Sequence, residues 1–235
     1  MNIDVLSFGR LSHRIFEEVG GNDKPVLDDT GKSLVLRRVA ASVEEELGVM
    51  KRNIRKTGYI SEVKSALSEF MQYGLGTKDV EKLCVYASGR NALACKLKDL
   101  HILYENFLKF INERYITTEE TLDLLRKALP RSRVVKDSVI VFDGFTGFTP
   151  IQYGVMQELM VQAQEVIVTV TMDAREDAYA QDGEQKLFHL SKKTIYDLDR
   201  LCKEAGVKRE RDVIIADEVV WRYRDNAGLS HVGRE

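Results

Sequence analysis

Apolar residues along the middle of this chain recur at helical spacing. Val35, Val39, Val43 and Leu47 fall every four residues with charges between them, as on one buried helical face. Ile60, Val63, Leu67 and Phe70 make a second stripe. A third, Leu93, Leu97, Leu100, Tyr104, Phe107 and Ile111, steps by four, three, four, three and four. That is a heptad-like seam for packing against another helix, which belongs either to a partner or to the same segment. Thr117 and Glu120 stand at capping-box spacing ahead of Leu122, Leu125 and Leu129, and Pro130 ends the run. From Thr30 to Leu129 the pattern is almost wholly helical. Ahead of it, Ile3 to Phe8 alternates as a short strand does. That strand runs into a helix over Leu11 to Val19, stopped by Gly20-Gly21. An edge strand with no element before it is expected of a piece cut from a longer chain.

After Pro130 the pattern changes. Val139-Ile140-Val141-Phe142 is a continuous apolar run ending in Asp143, the signature of a buried parallel strand. Thr149-Pro150 opens a helix, with proline in its first turn and Val155, Leu159 and Ala163 on its buried side. Val166 to Met172 reads as a second buried strand, ending in Asp173. This β-α-β unit implies a parallel sheet with a right-handed crossover. A helix over Lys193 to Ala205, capped by Gly206, precedes a third strand, Val213-Ile214-Ile215. The expected fold is α/β: a partial parallel sheet interrupted by a large all-helical insertion.

Composition narrows the class. Of 235 residues, 44% are hydrophobic and 31% charged, which excludes a disordered tail, a collagen-like fibre and a membrane bundle. Three prolines, against a usual ~5%, favour long helices. Lys and Arg number 35 against 37 Asp and Glu, so contact with nucleic acid would need a local basic patch. The start of the chain is not a signal peptide, and no apolar run approaches the ~20 residues of a membrane span. A soluble, cytoplasmic protein is expected. Cys84, Cys95 and Cys202 are read as free thiols, with neither disulfide nor zinc spacing. His13, His101, His189 and His231 are isolated, and no metal site is expected.

Gly31-Lys32-Ser33 ends like a phosphate-binding loop, but Val26 stands where the motif needs glycine and no strand is expected just before it. It is read as a helix start with Asp29 or Thr30 as N-cap. Asp143 and Asp173, at the ends of consecutive strands, would share the crevice where open α/β sheets hold ligands. They either hold a metal–nucleotide or cap the turns that follow. Between Asp143 and Pro150 a glycine-rich loop carries Phe145 and Phe148, which either stack on bases or cover the sheet end. Lys51, Arg52, Arg55 and Lys56 are the densest basic cluster, a solvated helix end or a phosphate contact.

Several of these blocks resemble a known family. Superfamily 1 helicases of the UvrD type carry a Walker B run followed by a P-x-Q-Y helix, and here Asp143 to Phe148 precede Pro150-Ile151-Gln152-Tyr153. Ser7-Phe8-Gly9-Arg10 is similar to their early DNA-contacting motif, and Asp173 with Glu176 and Tyr179 to a later one. The blocks LSFGRLSHRIFEEVGG, DDTGKSLVLRRV and FDGFTGFTP, with Arg222-Tyr223-Arg224-Asp225 and Leu229-Ser230-His231, resemble the AddB components of bacterial AddAB helicase–nucleases across nearly the whole chain.

The resemblance implies a fragment of a longer subunit acting in double-strand break repair and recombination beside an AddA-like motor. The expected division is 1–20 and 136–217 as pieces of a helicase-like (RecA-like) domain, 21–135 as a helical insertion, and 218–235 as a tail. Gly144 replaces the Walker B glutamate, so the general base that activates water is missing, and Glu176 replaces a γ-phosphate-sensing glutamine. Asp143 and Asp173 are then a degenerate nucleotide and magnesium site. The resemblance puts ATP, Mg²⁺ and an iron–sulfur cluster in the whole protein and none in this fragment. Ser7, Phe8 and Arg10 on one loop, with Phe145, Thr146 and Phe148 on another, would line a channel for single-stranded DNA and its Chi sequence. The competing readings are a docking module for the motor subunit, carried by the seam from Leu97 to Ile111, and a complete standalone nucleotide-binding enzyme.

Overall fold

The computed structural model describes residues 3–21, 24–112, 114–173, 175–180, 183–215 and 225–226. The late motif residues 222–224 and 229–231 lie outside the described residues. In chain order the elements are α1 (Phe8–Val19), β1 (Val26–Leu27), α2 (Asp29–Ser42), α3 (Thr57–Gln72), α4 (Thr77–Tyr86), α5 (Asn91–Ile111), β2 (Ile116–Thr117), α6 (Thr118–Ala128), α7 (Arg133–Lys136), β3 (Val139–Phe142), α8 (Pro150–Gln162), β4 (Glu165–Val168) and α9 (His189–Ala205). They form two compact units, one of residues 1–141 and 148–167, the other of residues 142–147 and 168–235.

The first unit is a helical body whose main core joins α2, α3 and α5. Val35, Val39, Val43, Leu47, Ile60, Val63 and Leu67 are all buried in it, with Phe70 packed against its side. The heptad-like seam is split. Tyr104, Phe107 and Ile111 are buried in this same core, whereas Leu93 is exposed at the other end of α5. The lower seam therefore fills the unit's own interior. Asp99, 2% exposed and off the apolar stripe, accepts hydrogen bonds from the Gly48 and Met50 amides at 2.9 and 2.8 Å. It fixes the irregular segment between α2 and α3 against α5.

A buried ion pair ties the start of this body to its end. β1 and β2 pair in parallel, Val26 with Ile116 and Leu27 with Thr117, and each strand runs directly into a capped helix. The Asp28 carboxylate accepts from the Gly31 amide at 2.7 Å, so the N-cap lies one residue before the two expected. Thr117 and Glu120 form the expected capping box. With the two helix starts side by side, Lys32 Nζ meets both Glu119 oxygens at 3.0 and 2.9 Å, the residues being only 3% and 7% exposed. The lysine of Gly31-Lys32-Ser33 is thus a structural cation. A Cβ on Gly31 would lie 2.7 Å from Leu27 and 3.0 Å from the capping carboxylate, so close approach explains the glycine.

The remaining helices pack around α6, which contacts α1 on one side and α8 on the other. Ile15, Leu125, Leu129, Val155, Met156 and Leu159 are buried. Ser132 Oγ and the Arg133 amide both donate to the Glu18 carboxylate, at 2.5 and 2.7 Å. These bonds hold Glu18 below the usual carboxylate range and lock α1 in place.

Three strand expectations are corrected. Residues 3–7 form no strand: Ser7 accepts from the Arg10 amide and caps α1, so Phe8 opens a helix. The second strand of the β-α-β unit stops at Val168, not Met172. Val213–Ile215 pairs with nothing among the described residues and is exposed. β3 and β4 form the expected two-stranded parallel sheet, but β3 is not buried, with Val139 and Val141 51% and 55% exposed. Its unbroken apolar run marks a strand whose faces remain uncovered in this chain. The α/β class holds, with the protein mostly helical and its sheets limited to two pairs among the described residues.

In the second unit α9 ends at Gly206, left-handed at φ 66°. Arg209 is held by Asp199 and Asp212, each at 2.5 Å, and donates to the Tyr179 hydroxyl at 2.9 Å. Lys192, in the first turn of α9, pairs with Glu176 at 2.7 Å.

Lys32→Met strands the buried Glu119 carboxylate and is expected to cost about 3–5 kcal/mol in urea unfolding. Lys32→Met/Glu119→Leu should recover most of that loss. Equal losses in the single and double variants would refute the pairing.

Candidate nucleic-acid interface

Ser7, Phe8 and Arg10 stand together at the start of α1. Ser7 Oγ caps the helix, the Ser12 hydroxyl donates to the Phe8 carbonyl at 2.9 Å, and Ile15 is fully buried. The helix start is thereby rigid, while Arg10 is exposed and makes no ion pair among the described residues. A crevice of about 590 Å³ lies beside it, lined by Asp4, Val5, Leu6, Gly9, Arg10 and His13. Arg14 is drawn to Asp4, which leaves Arg10 as the cation available to an anion there. No acidic residue occupies the first turn of α1, so the positive end of the helix dipole adds to that charge.

The glycine-rich loop leaves β3 in the second unit. Gly144 has φ 76°, a left-handed conformation that residues with a Cβ adopt only at a cost. Its amide donates to Thr169 Oγ1 at 3.4 Å, and that hydroxyl donates to Asp143 at 2.5 Å. Phe145 is 36% exposed and sets its ring edge-on to Phe142, with centroids 6.0 Å apart. The Thr194 hydroxyl reaches the Thr146 carbonyl at 3.4 Å, anchoring the far side of the turn. One aromatic face is presented on a loop fixed at both ends.

Phe148 belongs to the first unit, where its half-buried ring lies against Tyr153 at 5.5 Å. Thr149 and Gln152 cap α8 reciprocally, so the P-x-Q-Y block has a structural use. Phe148 is placed to order the start of α8, and Phe145 is the aromatic offered to solvent.

Asp143 and Asp173 are each engaged locally. Asp143 accepts from Thr169, and the Arg175 guanidinium holds Asp173 at 2.7 Å and draws its pKa down to about 2. Among the described residues no group of three or more His, Cys, Asp or Glu side chains is spaced to hold a metal ion. With Asp173 neutralised by Arg175, Lys32 buried on Glu119 and Gly144 lacking a side chain, these donors do not fit a magnesium–nucleotide. An iron–sulfur cluster needs four thiolates, and this chain has three cysteines. Burial pushes the Cys84 and Cys202 thiols up. In the basic cluster, Lys51 pairs with Glu45 at 2.6 Å and Arg55 with Glu44 at 2.5 Å, as in the solvated reading.

A groove of about 460 Å³ in the first unit is lined by Leu75, Tyr104, Glu119, Glu120, Arg126 and Ile151 among others. Its polar groups are used internally. Glu119 faces Lys32, Glu120 accepts from the Thr117 amide, and the Tyr104 hydroxyl donates to the Leu75 carbonyl at 2.8 Å. Nothing in the sequence marked Tyr104 beyond its place in the seam. Burial, with the nearby Glu120 and Glu119 charges, pushes its pKa up to about 12.

These parts define an α/β protein with a large helical body and a glycine-rich aromatic loop at the carboxyl end of a parallel strand, where such sheets hold ligands. The sequence matches the family described as ADDB, N-terminal, over residues 1–233, and the chain belongs to that family. A protein from Lachnoclostridium phytofermentans, named as an ATP-dependent helicase/deoxyribonuclease subunit of the AddB type, is 40% identical over 232 residues, covering 97% of this chain and 20% of that protein. Its namesake from Desulforamulus reducens is 33% identical over 233 residues, covering 97% and 20%. That from Bacillus subtilis is 32% identical over 209 residues, covering 86% and 18%. The chain spans about a fifth of the length of the curated relatives it matches. Among the described residues no helix is long and apolar enough to cross a membrane.

Because Tyr104 keeps its proton in the folded state after unfolded tyrosines lose theirs, its contribution to stability is complete below about pH 10. It is lost as pH rises to about 12. Urea unfolding between these limits should show that decline, and Tyr104→Phe should flatten it. An unchanged pH dependence in the variant would contradict the assignment.

Proposed function

We propose that this chain is the DNA-contacting N-terminal part of an AddB-type subunit of an ATP-dependent helicase–exonuclease, and that it works without a catalytic centre of its own. The observation that carries the reading is the loop after β3. Gly144 takes a left-handed turn and Phe145 is offered to solvent, in a chain that belongs to the AddB N-terminal family. A planar ring there can stack on any base, worth about 1–3 kcal/mol per base. Arg10 at the start of α1 adds a phosphate contact, with Ser7 and Phe8 shaping the turn that presents it. These contacts suit sequence-tolerant binding of single-stranded DNA, the basis for scanning toward Chi.

On this reading β3, α8 and β4 are part of a helicase-like (RecA-like) domain begun by residues 1–20 and resumed at 136–217, with 21–135 inserted as a helical domain. The whole protein acts in DNA repair and recombination with an AddA-like motor subunit, which supplies ATP hydrolysis and unwinding. The absence of a carboxylate at Gly144 supports the division of labour, since no side chain there can take a proton from water. The buried lower half of the α5 seam weighs against a role confined to docking through Leu97–Ile111.

Fluorescence anisotropy with a labelled oligonucleotide tests the DNA role. Phe145→Ala should weaken binding roughly 5- to 150-fold, and Arg10→Ala should lower the salt slope by about 0.7. No binding at low salt would defeat the DNA role. ATP hydrolysis by this chain that Asp143→Asn abolishes would defeat the non-catalytic one.

A further inference from the structure

The hairpin of α4 and α5 carries a charge asymmetry that the rest of the chain lacks. From Lys82 to Lys98 there are four basic side chains and no acidic one, in a protein whose overall charge is −2. The next acid, Asp99, is buried and committed to the Gly48 and Met50 amides, so it cannot offset them. Lys82 pairs with Asp79 at 3.0 Å. Arg90, Lys96 and Lys98 are exposed and make no ion pair among the described residues.

The hairpin is held firmly. α4 packs along α5, Val80 and Ala87 are buried between them, and a tight turn at Ala87–Gly89 closes the tip. Beside that tip Tyr86 is 92% exposed. Arg90 and Lys98 are about 12 Å apart along the helix at 1.5 Å per residue.

The geometry points to this hairpin as a binding surface for the phosphate backbone of double-stranded DNA, separate from the single-strand contacts at Phe145 and Arg10. It rests on the DNA-contacting reading above and adds a second substrate form. Three unpaired cations on a convex helical surface match a polyanion with one charge per about 1.7 Å of axis. Single-strand sites need a series of aromatic platforms for successive bases, and Tyr86 is the one aromatic residue between Lys82 and Lys98. The contact is therefore electrostatic and blind to sequence, and its strength falls steeply with salt.

The test uses the full chain, wild type and Arg90→Ala/Lys96→Ala/Lys98→Ala, with a labelled duplex and a single strand of the same sequence across a salt series. All three positions are exposed, and circular dichroism and thermal unfolding check that the variant keeps its fold. Duplex binding should weaken roughly tenfold or more, and its salt slope should fall by about 2.7, at about 0.9 per lost phosphate contact. Single-strand binding should be unchanged, and Phe145→Ala should show the converse pattern. Arg90→Lys, with Lys96 and Lys98 intact, should keep wild-type duplex affinity. Unchanged duplex binding in the triple variant overturns the proposal, and so does equal weakening for both DNA forms. Loss of capture of the partner subunit with duplex binding intact also overturns it, because the occupant is then an acidic protein surface. Wild-type binding of the single strand alone overturns this proposal and leaves the earlier reading standing. Binding of neither form overturns both.

Discussion

A lysine ammonium and a glutamate carboxylate, both nearly inaccessible to water, can coexist in this helical body only by facing each other. Lys32 and Glu119 are 87 residues apart in sequence, and each is costly to bury without its partner. Their pairing aligns the first turns of α2 and α6, and the β1–β2 ladder delivers the two helices to that alignment. A slip of one residue in the ladder would separate the charges and leave both buried. The pair thus specifies one register, whatever its net contribution to stability.

Much of the first unit hangs on α6 once that register is set. One side of α6 receives α1, which Glu18 locks through Ser132 and Arg133, and this fixes the turn that presents Arg10. The other side receives α8, whose N-cap follows Phe148. In the second unit a smaller device has a similar effect, as the Thr169 hydroxyl bridges Asp143 and Gly144 and sets the aromatic loop. Residues proposed to touch DNA are held by neighbours that do not touch it, and such support gives a site its geometry.

The candidate chemistry reads differently once partners are known. The Gly31-Lys32-Ser33 sequence has a phosphate-binding appearance because a helix start needs a small residue and a capped turn, whether or not phosphate is present. Asp173 has the position of a nucleotide ligand and spends its charge on Arg175. Lys51 and Arg55 belong to the densest basic cluster and find acids on Glu45 and Glu44. The cations left over, Arg90, Lys96 and Lys98, drew no notice in the sequence, because their local density is lower and only the burial of Asp99 makes them uncompensated.

By itself the sequence determined what depends on near neighbours. Helical stripes, the Thr117 and Thr149 caps, the glycine stop at Gly206 and the two-strand unit around α8 were legible, because i to i+3 and i+4 relations are encoded locally. The family resemblance was legible too, through contiguous blocks such as FDGFTGFTP. Only the tertiary structure decided the rest. Residues 3–7 and 213–215 have strand-like patterns without partner strands among the described residues, and pairing is a long-range matter that alternation cannot supply. Two-residue strands at Val26 and Ile116 are too short to leave a pattern, yet they align the helical body. Which half of the α5 seam is core, and which lysine is buried, depended on contacts dozens of residues away.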